Sequence, residues 1–187
     1  MIYIVIVLYR LKLKDSIAFK SLEKHSDRLN SLGARILIYN NSPEIEVGES
    51  ELCKVVNSKG NNKLLGAYSY ALQDATKHGY DWLLLLDQDT ELTREYFDEL
   101  NIFLSKSEVK EYDVAVPVLF SKHHHLSPIA CRKDIGPFVA TKNIKSQSDI
   151  DKKIDNYFIV AYNSVSLISI ETLNKIGGFG SEYKLDM

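Results

Sequence analysis

Apolar and polar positions change period along this chain, and the changes mark out its elements. Residues 2–8 are an unbroken apolar run rich in Ile and Val, the pattern of a strand covered on both faces, as in a parallel sheet. From 15 to 32 the period lengthens: Ala18, Leu22, His25, Leu29 and Leu32 recur at helical spacing, and Gly33 follows where a left-handed cap falls, which predicts a helix. Residues 35–39 predict a second strand, closed by the turn formers Asn40, Asn41, Ser42 and Pro43, and 52–56 a short third. A helix over 63–78 is capped by Asn61 or Asn62, places Leu64, Leu65, Tyr68, Ala71, Leu72 and Ala75 on its apolar side, and ends at Gly79. Residues 82–86 are the most hydrophobic strand, and they stop abruptly at Asp87, Gln88, Asp89 and Thr90 before another helix from about Thr93.

Further along, the pattern predicts a strand over 114–119, a polar stretch of weak periodicity over 121–153, and a strand pair or one long strand within 157–170. A short helix over 171–176 is closed by Gly177 and Gly178. Strands alternating with helices predict an α/β fold, Rossmann-like, with a mostly parallel sheet flanked by helices. In such sheets ligands bind beyond the carboxyl ends of the strands, where the 82–86 strand places its acidic residues.

Length and composition narrow this picture. A chain of 187 residues, 45% hydrophobic, carries enough apolar material for one ordinary domain over 1–187. The formal net charge of -2 provides no basic excess to drive counterion release, so nucleic acid is set aside as a partner. Cys53 and Cys131 show no CxxC spacing; they are read as structural, and a reducing cytoplasm fits them best. The run 2–8 is far shorter than the roughly 20 apolar residues of a membrane helix, and no other stretch approaches that length, so any membrane contact is expected to be peripheral.

The candidate chemistry lies in Asp87 and Asp89. Two carboxylates two residues apart, just past a buried strand, can turn toward one ligand. Hard divalent cations, Mg²⁺ or Mn²⁺, take such oxygens and keep positions open for the oxygens of a diphosphate. A cation there stabilises the charge that builds on a leaving nucleotide when a sugar–phosphate bond breaks. The bland alternative is that the acidic residues solvate the turn and favour the next helix's amino end. His123, His124 and His125 are consecutive and cannot easily converge on one ion, so they are read as a loop; His25 is read as a core or boundary histidine.

Four separated segments resemble family 2 glycosyltransferases of GT-A fold, in particular the rhamnosyltransferase-like branch. They are Val7-Leu8-Tyr9-Arg10; Ile38-Tyr39-Asn40-Asn41-Ser42; Asn61 to Leu72; and Trp82 through Asp87-Gln88-Asp89. Ser164 to Ile168 with Lys175-Ile176-Gly177-Gly178-Phe179 resembles the same family's acceptor-side segment. The resemblance implies that Tyr9 lies near the nucleobase, and that Asn40, standing where an acid is usual, lies near base or ribose. It places Asn61 and Lys63 by the donor nucleotide, Lys63 replacing the usual Gly, and makes Asp87 and Asp89 the metal ligands. It makes Phe179 an apolar lid residue.

The same resemblance places the general base shortly after the Gly-Gly-Phe segment, where Asp186 is the candidate and Glu182 a weaker one; the catalytic domain is expected to continue past Met187. It further implies an inverting transfer from a UDP- or dTDP-linked sugar, dTDP-rhamnose among them. The acceptor would be a saccharide or lipid-linked, in cell-surface polysaccharide synthesis at the inner face of the membrane. Two other readings stay open: a donor-binding domain that needs a partner for turnover, and a haloacid-dehalogenase-like phosphatase. The second lacks the usual Gly before Thr90 and a downstream Asp-Asp pair. A sugar nucleotidyltransferase is disfavoured because residues 8–14 contain no glycine.

Overall fold

The computed structural model describes residues 1–121, 124–132, 140–144 and 157–180. The chain forms two compact units, Ala115–Ser166 and the remainder. The larger unit is built on a six-stranded sheet in the order β3-β2-β1-β4-β11-β5. Its strands are β1 (Ile2–Leu8), β2 (Arg35–Asn40), β3 (Cys53–Asn57), β4 (Trp82–Asp87), β5 (Val114–Ala115) and β11 (Leu167–Ser169). β1 runs parallel to β2 and β4, β2 runs parallel to β3, and β11 is antiparallel to β4. The mostly parallel sheet that the alternating pattern predicts is present.

The uninterrupted apolar runs are explained by burial on both faces. Every residue of β1 is buried, and so are the first five of β4. Successive strand residues point to opposite sides. Tyr3, Val5, Val7, Leu37, Leu83 and Leu85 form a core with Leu64, Ala67, Ala71 and Leu72 of α3 (Lys63–Lys77). Ile170 and Leu173 of α5 (Ile170–Lys175) close the same core. On the opposite face Ile4, Ile6, Leu84 and Leu86 are buried, as are Ala18 and Leu22 of α1 (Ile17–Lys24) and Phe97 and Leu100 of α4 (Arg94–Leu104). Trp82 meets Phe103 of α4 edge-on, with ring centroids 5.8 Å apart. Each such aliphatic side chain, fully buried, contributes about 1.5–3 kcal/mol, which is why these two strands are the most legible in the sequence.

Two predicted elements differ, and a third is decided between its alternatives. The helix expected over 15–32 is two helices, α1 and α2 (Ser26–Ser31), broken at His25, whose backbone leaves helical dihedrals (φ -116°, ψ 29°). His25 is 8% exposed and its ring lies 5.2 Å from that of Phe97, so it is the core histidine the pattern implies. The strand expected over 114–119 is interrupted at Pro117, which has no N–H to give a ladder; β5 stops at Ala115 and β6 (Leu119–Ser121) begins beyond it. The segment 157–170 resolves as a strand pair, β10 (Tyr157–Val160) and β11, in two different sheets.

The smaller unit is antiparallel. β6 pairs with β7 (His124–Ser127), and β8 (Ile129–Arg132) lies between β10 and β9 (Ala140–Asn143). His124 and His125 therefore lie in a strand and not in a loop, a correction to the sequence reading; an isolated three-residue histidine run gives no period from which a hairpin can be read. His123 lies outside the described residues. No helix among the described residues is long and apolar enough to cross a membrane.

Candidate functional site

The parallel strands end level with one another. Register pairs Val7 with Asp87, Leu8 with Asn40, and Asn40 with Asn57, so one sheet edge carries the ends of β1, β2, β3 and β4. The chain order reverses between β1 and β4, which makes this the topological switch point where α/β sheets open a crevice for ligands. Asp87 is the last residue of β4, and Thr90 N–H closes a turn onto its carbonyl at 3.1 Å. Asp89 is exposed in that turn. The Asp87 carboxyl is held above the usual carboxylate range, first by burial and then by the charge of Asp89. A half-buried carboxyl raised by its neighbour's charge is part of a donor set that a hard cation would relieve. Among the described residues no cluster of three or more His, Cys, Asp or Glu side chains is placed to hold an ion. Two carboxylates alone would suit only a cation that takes its other oxygens from substrate and water.

Gln88, between the two acids, turns to the loop after β1. Its side-chain Oε1 accepts the Tyr9 N–H at 2.9 Å, and its carbonyl accepts from Ser16 Oγ at 2.9 Å and Ala18 N at 3.2 Å. Tyr9 is half-buried, and the Arg10 guanidinium lies over its ring, 5.1 Å from the centroid. Arg10 sits at φ +53°, and its N–H donates to Ser42 Oγ at 2.8 Å. The Tyr9 backbone is thus held by Gln88 beyond β4, and that of its neighbour Arg10 by Ser42 beyond β2, while Tyr9 stays partly exposed.

The end of β2 is a buried polar staple. Asn40 is 0% exposed: its Nδ2 donates to the Ile45 carbonyl at 3.1 Å and to Asn57 Oδ1 at 2.9 Å, while its Oδ1 accepts from Ser42 N at 2.9 Å. This is a side chain engaged in shaping its turn. Asn41, 1% exposed, reaches α3: Nδ2 donates to the Lys63 carbonyl at 3.0 Å and Oδ1 accepts from Asn62 N at 3.1 Å. Asn61 Oδ1 accepts the Lys63 N–H at 2.9 Å, whereas Asn62, which flanks the helix, makes no capping bond. Lys63 takes φ +55°, a left-handed conformation that glycine adopts at little cost, and its exposed side chain stands at the amino end of α3.

That entry to α3 is tight. A Cβ on Gly66 would fall 2.5 Å from Asn62 Cβ, an atom next to the backbone that cannot swing aside. Gly66→Ala is expected to push the helix start outward and destabilise the fold by about 1–3 kcal/mol; urea denaturation checks it, and an unchanged midpoint would contradict the packing described.

Other sequence candidates sit elsewhere. Asp186 and Glu182 lie outside the described residues. Phe179 packs against Tyr68, the ring centroids 5.4 Å apart and the planes tilted by 45°, and against the α3 core. The Cys53 thiol is pushed up to about 11 by burial, which makes it a poor nucleophile. The sequence reading passed over Gln88, Asn41, Ser42 and Ser16. Of these only Ser16, one residue before an apolar-periodic run, carries a signal of its own, that of an N-cap, and its hydroxyl does accept from Phe19 N.

No family model matches the sequence, and no curated protein matches it in sequence. Solved structures do match. The crystal structure of S. aureus TarS 1-349 aligns with a TM-score of 0.55 at 10% identity, over 94% of this chain and 48% of that one. The crystal structure of S. aureus TarS aligns with a TM-score of 0.58 at 13% identity, over 98% of this chain and 31% of that one. The fold is that of the TarS GT-A domain. The chain spans about half the TarS 1-349 chain and about a third of the longer TarS chain. At these identities the likeness to TarS establishes the architecture and leaves function to the residues at the edge.

Proposed function

We propose that this chain binds a nucleotide-diphosphate sugar and serves the transfer of its sugar to a saccharide or lipid-linked acceptor, as an inverting, cation-assisted glycosyltransferase. The observation that carries the reading is the pair Asp87 and Asp89 at the β1/β4 switch point, one turn from the fixed Tyr9 loop. In this reading Asp87 and Asp89 hold Mn²⁺ or Mg²⁺, which when bound offsets negative charge on the diphosphate leaving group. Tyr9 offers its ring to the nucleobase. Lys63 presents its ammonium to a phosphate from the start of α3, with Asn61 holding its backbone. Asn40 acts by shaping the turn rather than by touching ribose, since its amide is already engaged.

Transfer itself requires the acceptor oxygen to attack the anomeric carbon as the bond from that carbon to the phosphate oxygen breaks. The electron pair departs with the nucleoside diphosphate and the acceptor proton goes to a general base, for which Asp186 is the candidate. UDP- and dTDP-linked donors, dTDP-rhamnose included, share the diphosphate this edge would take, and a cell-surface polysaccharide at the inner membrane face is the proposed setting.

Calorimetric titration of UDP and dTDP with and without Mn²⁺ tests the reading. Binding is expected to require the cation, and the base with the higher affinity identifies the donor series. Absence of binding by a folded sample would sink the proposal. Release of phosphate from a simple phosphate ester, with nucleotide sugars left intact, would put the phosphatase reading in its place.

A further inference from the structure

The Asp87–Asp89 turn and the loop that begins at Tyr9 are joined by more than proximity. The side chain between the two acids accepts the Tyr9 N–H, and its own carbonyl receives both the Ser16 hydroxyl and the Ala18 N–H. Ser16 is 0% exposed and its Oγ also accepts the Phe19 N–H that opens α1. Ser21 of the same helix accepts the Leu92 N–H, just beyond the acidic turn, at 3.2 Å. The loop 9–18 is therefore clamped at both ends by one residue, Gln88, whose peptide neighbours on either side carry the two carboxylates.

We infer that Gln88 is a positioning residue that couples the cation site to the nucleobase loop, so that a cation on Asp87 and Asp89 fixes Tyr9 where a base stacks, and a seated base in turn favours the cation. This rests on the donor-site reading above. The three bonds leave the turn little freedom to move without moving Tyr9, so a cation held by Asp87 and Asp89, which would restrict the turn's backbone, would restrict residue 9 through the Oε1 bond. Coupling of this kind is reciprocal in binding free energy. A coupling transmitted through the Oε1 bond is modest in size, about five- to tenfold in affinity.

The test separates the base from the phosphates. UDP and inorganic pyrophosphate are titrated at saturating Mn²⁺, and Mn²⁺ is titrated with and without saturating UDP, into the native chain and into Gln88→Asn, whose shorter side chain withdraws the oxygen from Tyr9, and Gln88→Glu, which returns an acceptor at full length. The gain in Mn²⁺ affinity on adding UDP is expected to fall about five- to tenfold in Gln88→Asn, and an unchanged gain overturns the coupling. Gln88→Leu replaces Gln88→Asn should the latter fail to fold by circular dichroism. The readout is the ratio of UDP to pyrophosphate affinity, in which the added charge of Gln88→Glu, felt by both ligands, cancels. In Gln88→Asn the ratio is expected to fall about five- to tenfold, with pyrophosphate within about twofold of native, and in Gln88→Glu to return to the native value. A ratio unchanged in Gln88→Asn, or an equal loss of both ligands, overturns the coupling, because a merely structural Gln88 would weaken the two together. Failure of the native chain to bind either ligand overturns the donor-site reading instead, and the coupling with it.

Discussion

Asp89→Ala is expected to lower the Mn²⁺-dependent affinity for UDP and dTDP by more than about 100-fold, since losing a ligand must exceed the 10–100-fold typical of losing a ligand's supporting bond. Its thermal midpoint should stay close to native, because Asp89 is exposed in a turn and substitutions at such sites change stability little. Asp87→Asn should abolish the same binding yet shift stability upward. Burial first, and the Asp89 charge second, hold the Asp87 carboxyl above its usual range, so its ionised form is the one the fold disfavours. Between the ordinary pKa of an unfolded Asp and the raised folded value, the native state binds more protons than the unfolded chain, and stability falls as pH rises. Above the raised folded value that penalty is fully present. The neutral isostere removes it, for an expected gain of about 0.5–1 kcal/mol, the trade of stability against function seen where a site carries strained charge. Calorimetric titration and thermal melts of both variants check the pair. If Asp87→Asn were destabilised at neutral pH and still bound nucleotide with the cation, Asp87 would be a structural acid and the cation site would lie elsewhere.

The legibility of this molecule follows the period of its burial. β1 and β4 were readable because both faces are covered, which forces a continuous apolar run, and α3 because one face packs on that sheet, which forces a helical repeat. The acids at Asp87 and Asp89 were readable as site candidates because they follow a buried strand at the sheet edge where α/β folds take ligands. What escaped the sequence depends on partners far along the chain. His25 fits a helical period equally well whether the helix continues or turns, and its packing on Phe97 is invisible locally. Gln88 carries no motif, since its meaning lies in the N–H of a residue 79 positions away. The Pro117 break was available in principle from the missing N–H, but the apolar residues around it suggested one strand. The β6–β7 hairpin has short strands and a register shift between Leu119 and Phe120, which erases the alternation by which a strand is recognised. Asn40 was the most misleading position: its place at the strand end was right, while the direction of its hydrogen bonds could not be read from its identity alone.

That direction makes Asn40→Asp, which installs the acid usual in the resembling family, an expected loss rather than a gain. The Asn40 amide faces the Ile45 carbonyl and Asn57 Oδ1 as a donor and Ser42 N–H as an acceptor. An ionised aspartate keeps only the acceptor role. Asn57 can turn its own amide to offer Nδ2, but the Ile45 carbonyl cannot become a donor, so two oxygens would face one another at about hydrogen-bond distance in a site that is 0% exposed. The carboxylate must then either stay charged without water or take up a proton to restore the donor, and each course destabilises the native state. A cost of about 2–4 kcal/mol is expected at neutral pH. Part of it should be recovered as pH falls and the buried group protonates, because its folded pKa would lie above the unfolded value. Urea denaturation at neutral and mildly acidic pH checks both the size and the sign, with Asn40→Ala as the reference that removes all three bonds without adding charge. UDP affinity measured on the surviving folded fraction supplies the decisive comparison. Tighter binding in Asn40→Asp would mean that the side chain turns out of its staple to reach the ribose, and that this edge holds its ligand in a form other than the one described.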